Sequence, residues 1–408
     1  MAKKYDIIVG GGGLIGFIMA LSLANHGFTI ALIDESTIQK KRQEQFDGRA
    51  YAINMATVRM LSTIKIWSFL EKQVQPILDI KVSDGLAGKG ASPFHMHFDH
   101  RELSSGPLGF MLEDRFIRPV LIKAVSAYTN IELFWGNKVV EQQNYSNFIE
   151  VKLKGKESIR GTLLVGADGR RSQIAQNAKI KKNTFDYQQM GLVSAISHEK
   201  NHFGEAHQFF MPSGPIAILP LRGKMSSLVW TLENKTASRV LNLNDNDYLN
   251  ELRIRVGDFL GGIGIEGKRF SYPLNLTFAE TLVTDRVALI GDAAHAVHPL
   301  AGQGLNLGMR DIASLVEVIV QANMRGEDFG NWMVLSRYNS WRSLDRLTVS
   351  GLTHLVNNIF SNDNSFLRSL RGLSMVSINN SSFLREKLIK EANGLLGDLP
   401  ALMRGHIL

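Results

Sequence analysis

Apolar residues gather in short runs at four places: Tyr5 to Val9, broken only by Asp6, Phe28 to Ile33, broken only by Thr29, Leu163 to Val165 and Val287 to Ile290. Runs of this length without polar alternation predict strands buried on both faces, as in a parallel sheet. Between the first two the sequence turns helix-like to about Asn25, and His26-Gly27 ends that helix. The result is a strand-helix-strand unit. The middle of the chain has a different pattern. Gly204 to Met211, Ile216 to Leu221 and Ser226 to Leu232 alternate, with turn signals such as Pro212-Ser-Gly214, which predicts a mainly antiparallel sheet. Residues 335–408 return to helical spacing, with Phe366, Leu367, Leu370 and Leu373 in one segment and Phe383, Leu384, Leu388 and Ile389 in another. Arg368, Arg371, Arg385, Lys387 and Lys390 decorate both. Such helices either dock on the protein's own core or lie in a membrane interface.

Three of the strand ends carry chemistry. After Val9 comes Gly11-x-Gly13-x-x-Gly16, and the second strand closes on Asp34-Glu35. One glycine makes the turn, one admits a pyrophosphate, and one lets helix and strand pack. An acid about 20 residues on can bond a ribose hydroxyl. Asp34 is the candidate, with Glu35 the fallback if the register slips by one. The second site is Leu163-Leu-Val-Gly-Ala-Asp168-Gly169-Arg170-Arg171-Ser172, a strand, a turn and a helix start. The third runs from Arg286 to Asp311. Its strand ends in Gly291-Asp292, a turn passes through His298-Pro299, and Ala301-Gly302-Gln303-Gly304 opens a helix through Leu305 and Asn306. A carboxylate at a strand end can bond a sugar-like hydroxyl. A glycine-rich helix start aims free N–H groups and a positive dipole end at whatever lies above it.

Composition narrows the chemistry. With 408 residues the chain can build two or three lobes. It has no cysteine, which excludes disulfides, thiolate metal sites, iron–sulfur clusters and a redox cysteine pair. No metal centre is expected. The net charge of +8 suits an anionic membrane or a phosphorylated cofactor as well as plain solubility. No basic block interleaved with aromatics points to nucleic acid. Met1-Ala-Lys-Lys before an apolar run mimics a signal peptide, but Asp6 interrupts the run and the glycines keep nucleotide-binding spacing. Elsewhere no stretch of about 18 uncharged apolar residues occurs, so no transmembrane helix is expected.

The Arg286–Asp311 segment closely resembles the second FAD-binding motif of flavin-dependent aromatic hydroxylases, and within them the ubiquinone-biosynthesis hydroxylases (UbiH-like). The Asp168-Gly169 segment resembles their Asp-Gly motif, which supports FAD and lies on the NAD(P)H approach path. Asp47-Gly-Arg49 resembles the loop whose arginine meets the FAD diphosphate or flavin edge. Glu113-Asp114-Arg115 resembles a Glu-Asn-Arg motif, with Asp in place of Asn. Gly10, where a branched aliphatic is usual, and Asp34, where glutamate is usual, depart from the family pattern.

The resemblance implies an α/β fold, with a Rossmann-like FAD-binding domain from residues 1–74, 111–178 and 276–340. Residues 75–110 and 179–275 would form an inserted, mainly antiparallel substrate domain, and 341–408 C-terminal helices. FAD would be held by Gly11, Gly13, Gly16, Asp34, Arg49, Arg115, Asp168, Gly291, Asp292, Gly302, Gln303, Gly304, Leu305 and Asn306. Pro299 would pack against the flavin near the reacting carbon, with His298 orienting substrate and His295 a lesser candidate. Trp230, Phe209 and Phe210 either line the pocket or belong to the core. The implied reaction hydroxylates a polyprenylated phenol on the route to ubiquinone, using O2, transiently docked NAD(P)H and a flavin hydroperoxide. The implied setting is a cytoplasmic protein, peripheral on the inner membrane or in a biosynthetic complex. Two alternatives stay open: a hydroxylase of a small soluble aromatic, and a non-catalytic FAD-bound scaffold subunit of a lipid-modifying complex.

Overall fold

The first apolar run is the strand Lys3–Gly10, and it sits at the middle of a parallel sheet. The computed structural model describes residues 3–38, 46–86, 90–102, 106–155, 157–211, 214–296, 303–343, 379 and 381–408. Lys3–Gly10 pairs in parallel with Ile30–Asp34 on one side and with Ser158–Gly166 on the other. Ile131–Trp135 extends the first edge and Val287–Leu289 the second, again in parallel. Strand order therefore reverses at Lys3–Gly10, which opens a crevice beyond its carboxyl end. Burial on both faces explains the apolar runs: Ile7, Ile8, Val9, Leu163, Leu164 and Val287 have no exposed surface. Helices Leu14–Ala24 and Gln303–Met324 pack against each other where Gly308 meets Ile15.

A second sheet is mainly antiparallel. Its strands run in the order His295–Ala296, Ile263–Ala279, Lys182–His198, Met225–Glu233, Ile216–Leu221, Glu205–Phe210, Asp79–Leu86 and Gly90–Asp99. Within it only Glu205–Phe210 and Asp79–Leu86 pair in parallel. One face carries Leu192, Ile196, Ile216, Ile218, Leu228 and Trp230 and is covered by Ala237, Val240, Tyr248 and Leu252 of helices Asn234–Leu241 and Asp245–Val256. The other face carries Ala195, Ala206 and Leu221, which pack on Ile77 and Met111 of a small third sheet made of Ala50–Ile53, Gly109–Glu113 and Gln75–Ile77.

Near the C-terminus lie a helix over 332–343 and the helices Ser382–Ala392 and Ala401–Arg404. Ser382–Ala392 is seated by Ile389 in the cluster with Ile77 and Met111, and by an Arg385–Glu102 ion pair (2.8 Å). Its other apolar residues, Phe383, Leu384 and Leu388, are exposed. The Phe366–Leu373 segment lies outside the described residues. Among the described residues no helix is long and apolar enough to cross a membrane.

His207 gives this fold a pH dependence. Its ring stacks on Phe209 and lies 4.5 Å from Phe259. Burial pushes its pKa from 6.5 down to about 4, although Glu205, 3.4 Å away, pulls the other way. The unfolded chain therefore takes this proton first as pH falls. Stability is complete above about pH 6.5 and drains between there and about 4, by roughly 3 kcal/mol from this group. Urea unfolding at pH 7.5 and 4.5 checks this. His207→Phe should flatten the slope, and an unchanged slope would assign the acid sensitivity to other groups.

Candidate cofactor and substrate site

The two helices that end at the crevice begin on glycines whose missing side chains no atom of the described residues explains. Gly13 caps Leu14–Ala24 at φ −78°, a conformation open to any residue. A Cβ there would meet nothing within 4 Å. Gly304, in the first turn of Gln303–Met324, also faces open space. The other fingerprint glycines are sterically required. A Cβ on Gly11 would lie 2.2 Å from the Ala167 carbonyl oxygen, and one on Gly16 would lie 1.7 Å from that of Gly11. So Gly11 and Gly16 make the turn, and Gly13 keeps the space above the helix end clear. Unpaired N–H groups and the positive dipole end point into that space.

Acids surround the crevice. Asp34 is nearly buried at the end of its strand and accepts hydrogen bonds from Gly12 N–H (2.6 Å) and Ser36 N–H (2.7 Å). Glu35 is instead exposed and faces Lys138. Asp168 Oδ2 accepts from Ile174 N–H (3.1 Å), while its buried Oδ1 has no partner among the described residues. Gly291, at φ +58°, turns the chain after its strand so that Asp292 stands half exposed. Arg170 reaches Asp292 Oδ2 (3.2 Å) and lies over the Tyr272 ring. The Asp-Gly and Gly-Asp motifs, 122 residues apart, thus meet at one ion pair.

The remaining predicted residues divide. Arg49 is bound to Asp47 (2.6 Å) and lies 3.5 Å from Asp114. Arg115 pairs with the buried Glu113 (2.7 Å) beneath Phe46. Asn306 spends its amide on the protein: Oδ1 accepts from Asn54 N–H and Thr57 Oγ1, and Nδ2 donates to Ala52 O. It latches the helix start to the strand Ala50–Ile53, leaving its backbone as the part that can face a ligand. Leu305 is partly exposed beside it. Pro299, His298 and Gly302 lie outside the described residues, and of Gln303 only the backbone is described. Gly10, the departure from the family pattern, makes room for Ile174, whose Cδ1 would lie 2.3 Å from a Cβ.

Sequence reading passed over the group that fixes the Gly291 turn. Asp311 is fully buried on the helix Gln303–Met324. Its Oδ2 accepts from Gly291 N–H (2.9 Å) and lies 2.9 Å from His295 Nε2, and its Oδ1 accepts from Arg342 Nε (2.8 Å). Burial alone would raise the Asp311 pKa, but His295 and Arg342 outweigh it and hold it below the usual carboxylate range. His295 is therefore an internal neighbour of Asp311. The expectation of no metal centre also passed over His198-Glu199-Lys200-Asn201-His202, which has the H-E-x-x-H spacing of zinc proteases. That spacing needs a helix, and here His198 ends a strand. Its ring nitrogens lie 2.7 Å from Lys200 O and 3.1 Å from Ser226 Oγ. Those of His202 meet Leu221 O and Gly204 N–H.

The antiparallel sheet meets the crevice where Arg170 lies over Tyr272 and where His295–Ala296, just after the Gly291 turn, forms its edge strand, and so serves as a roof. Trp230 and Phe209 belong to its helix-covered face and are core. Phe210 points the other way, against Val82, Met96 and Phe98. On that same face one row of paired positions crosses seven strands: Met96, Val82, Gln208, Ala217, Val229, Val193 and Phe270. All but Val82 keep some exposed surface.

Open glycine helix ends, an acid with an unused buried oxygen and a switch-point crevice together define a dinucleotide-type cofactor site. These residues fit FAD. Comparison with known proteins gives the particular family. Residues 4–343 match the FAD binding domain family. The ubiquinone hydroxylase UbiL of Rhodospirillum rubrum is 37% identical over 406 residues, covering 99% of this chain and 93% of the relative. The 3-demethoxyubiquinol 3-hydroxylase of Escherichia coli is 31% identical, covering 96% and 98%. The crystal structure of p-nitrophenol 4-monooxygenase PnpA from Pseudomonas putida DLL-E4 superposes with a TM-score of 0.80 at 17% identity, covering 97% of this chain and 99% of that one, and so supports the fold. The chain belongs to the FAD binding domain family, on the branch of the ubiquinone-biosynthesis hydroxylases, and is a FAD-dependent monooxygenase.

Proposed function

We propose that this enzyme hydroxylates the aromatic ring of a polyprenylated phenol on the route to ubiquinone, with NAD(P)H as reductant and O2 as oxygen source. The observation that carries the reading is the roof: an apolar row over the crevice, longer than a bare phenol needs. Bound FAD supplies the electron transfer and the activation of oxygen. The chain supplies the rest. Gly13 and Gly304 leave the helix ends open to the anionic parts of the cofactor, and Asp34, Asp168 and Asp292 are placed to accept from its hydroxyls. Arg49 and Arg115 are candidates for its diphosphate or ring edge, and Pro299 and His298 for contact with the reacting ring. The roof excludes water from the ring and holds it in place.

The same reading takes the protein to the cytoplasmic surface of the inner membrane, peripherally or within a biosynthetic complex, because a polyprenyl substrate resides in lipid. The basic balance and the exposed Phe383, Leu384 and Leu388 support this.

The decisive experiment deletes the gene in its host. Loss of ubiquinone, with accumulation of a prenylated phenol one hydroxyl short, is expected. Restoration should follow from the wild-type gene. Normal ubiquinone in the deletion strain would refute the reading. Accumulation of a small unprenylated aromatic would favour the soluble-substrate alternative.

A further inference from the structure

The roof row is apolar at six of its seven positions, and the exception is Gln208. The face it occupies is fixed by its neighbours. Ala206, two residues earlier, packs with Ile77 and Met111, while Phe209 and Trp230 point to the opposite, helix-covered side. Gln208 therefore projects toward the crevice side, flanked on its row by Val82 and Ala217 and next by Met96 and Val229. It is partly exposed. Among the described residues its one hydrogen bond runs from Nε2 to Ile216 O at 3.5 Å, the limit for such a bond. An amide in apolar surroundings is costly to bury unless it finds partners. It also offers both a donor and an acceptor. Ser227 and Thr231, also on this face, are almost fully buried and out of a ligand's reach, while the partly exposed Tyr272, opposite Gly191, lies off the row beneath Arg170.

Resting on the reading of the function above, we propose that Gln208 orients the substrate's aromatic head through its amide, accepting from or donating to a ring oxygen. The apolar positions on the row seat the isoprenoid tail. Strands lie about 4.8 Å apart, so seven positions span roughly 29 Å, enough for several isoprene units in extended form. A single polar group on such a track sets where the head stops and hence which ring carbon is presented.

The test compares wild-type protein with Gln208→Met, which keeps the shape and removes the hydrogen bonds. The probe is 2-geranylphenol with NADPH, and FAD content serves as the check on integrity. Gln208→Met should load FAD normally, raise KM for the probe by roughly five- to fiftyfold, and send a larger share of the NADPH consumed into hydrogen peroxide. A merely structural role would not move that share in a fully loaded protein. Wild-type KM and peroxide share in loaded Gln208→Met would overturn the assignment. If Gln208→Met fails to load FAD, Gln208→Asn, whose amide is drawn back by one methylene, takes its place under the same criterion. Wild-type protein that leaves the probe unhydroxylated would overturn both this assignment and the reading beneath it, whereas an active wild type with an unaltered variant overturns this assignment alone.

Discussion

Replacing Asp311 with alanine should destabilise the protein by about 3–5 kcal/mol, the usual cost of breaking a buried ion pair from one side. Asp311 and Arg342 have no exposed surface and His295 almost none. Without the carboxylate, the guanidinium of Arg342 stays in the interior and loses that counter-charge. Gly291 N–H loses its acceptor as well. The damage should reach the cofactor, because that N–H precedes Asp292 in the turn facing the crevice. Chemical unfolding of the FAD-free protein isolates the stability term, and titration with FAD measures the second. A companion variant separates charge from packing. Asp311→Leu combined with Arg342→Met removes both charges at similar volume and should recover a good part of the loss. A single variant within about 1 kcal/mol of wild type would mean that the cluster is solvated or uncharged, contrary to its burial.

This cluster also shows where sequence reading stops. The glycine fingerprint was legible because its chemistry is local: a tight turn, an open helix end and an acid one strand later. The Gly291-Asp292 turn was legible for the same reason. What holds that turn was not, since Arg342 comes 31 residues after Asp311 and only the packing of two helices brings them together. The strands Glu205–Phe210, Ile216–Leu221 and Met225–Glu233 followed from alternation. The longest strands did not. Lys182–His198 carries irregularities between Asp186 and Gln189, with Gln188 at φ +55°, and these shift the alternation midway. Nor could sequence tell Phe210 from Phe209. Adjacent strand residues face opposite ways, so only the register decides which sees the crevice and which the core. Asn306 marks a further limit: its place in the motif is plain, but the bonds that consume its amide come from residues about 250 positions earlier.

The second large effect concerns the glycines at the first helix. Wild-type protein should be yellow, with FAD that heat releases, since no cysteine is available for a thioether link. Gly16→Ala and Gly13→Ala should both lose FAD, for different reasons. At Gly16 the new Cβ would press within 1.7 Å of the Gly11 carbonyl oxygen, so the turn itself must open. That variant should lose FAD and also unfold more readily as apo-protein. At Gly13 the backbone accepts alanine and a Cβ would meet no atom of the described residues within 4 Å, so the apo-protein should be as stable as wild type or slightly more so. Only the ligand should notice the methyl group, which would stand where the pyrophosphate approaches the helix end. A tenfold to hundredfold loss of affinity is expected, about 1.4–2.7 kcal/mol. Thermal melts of both apo-proteins, set beside FAD titrations by flavin fluorescence, separate the two mechanisms. If Gly13→Ala binds FAD as tightly as wild type, the open space above that helix is not the cofactor's, and the cradle must lie elsewhere along the crevice.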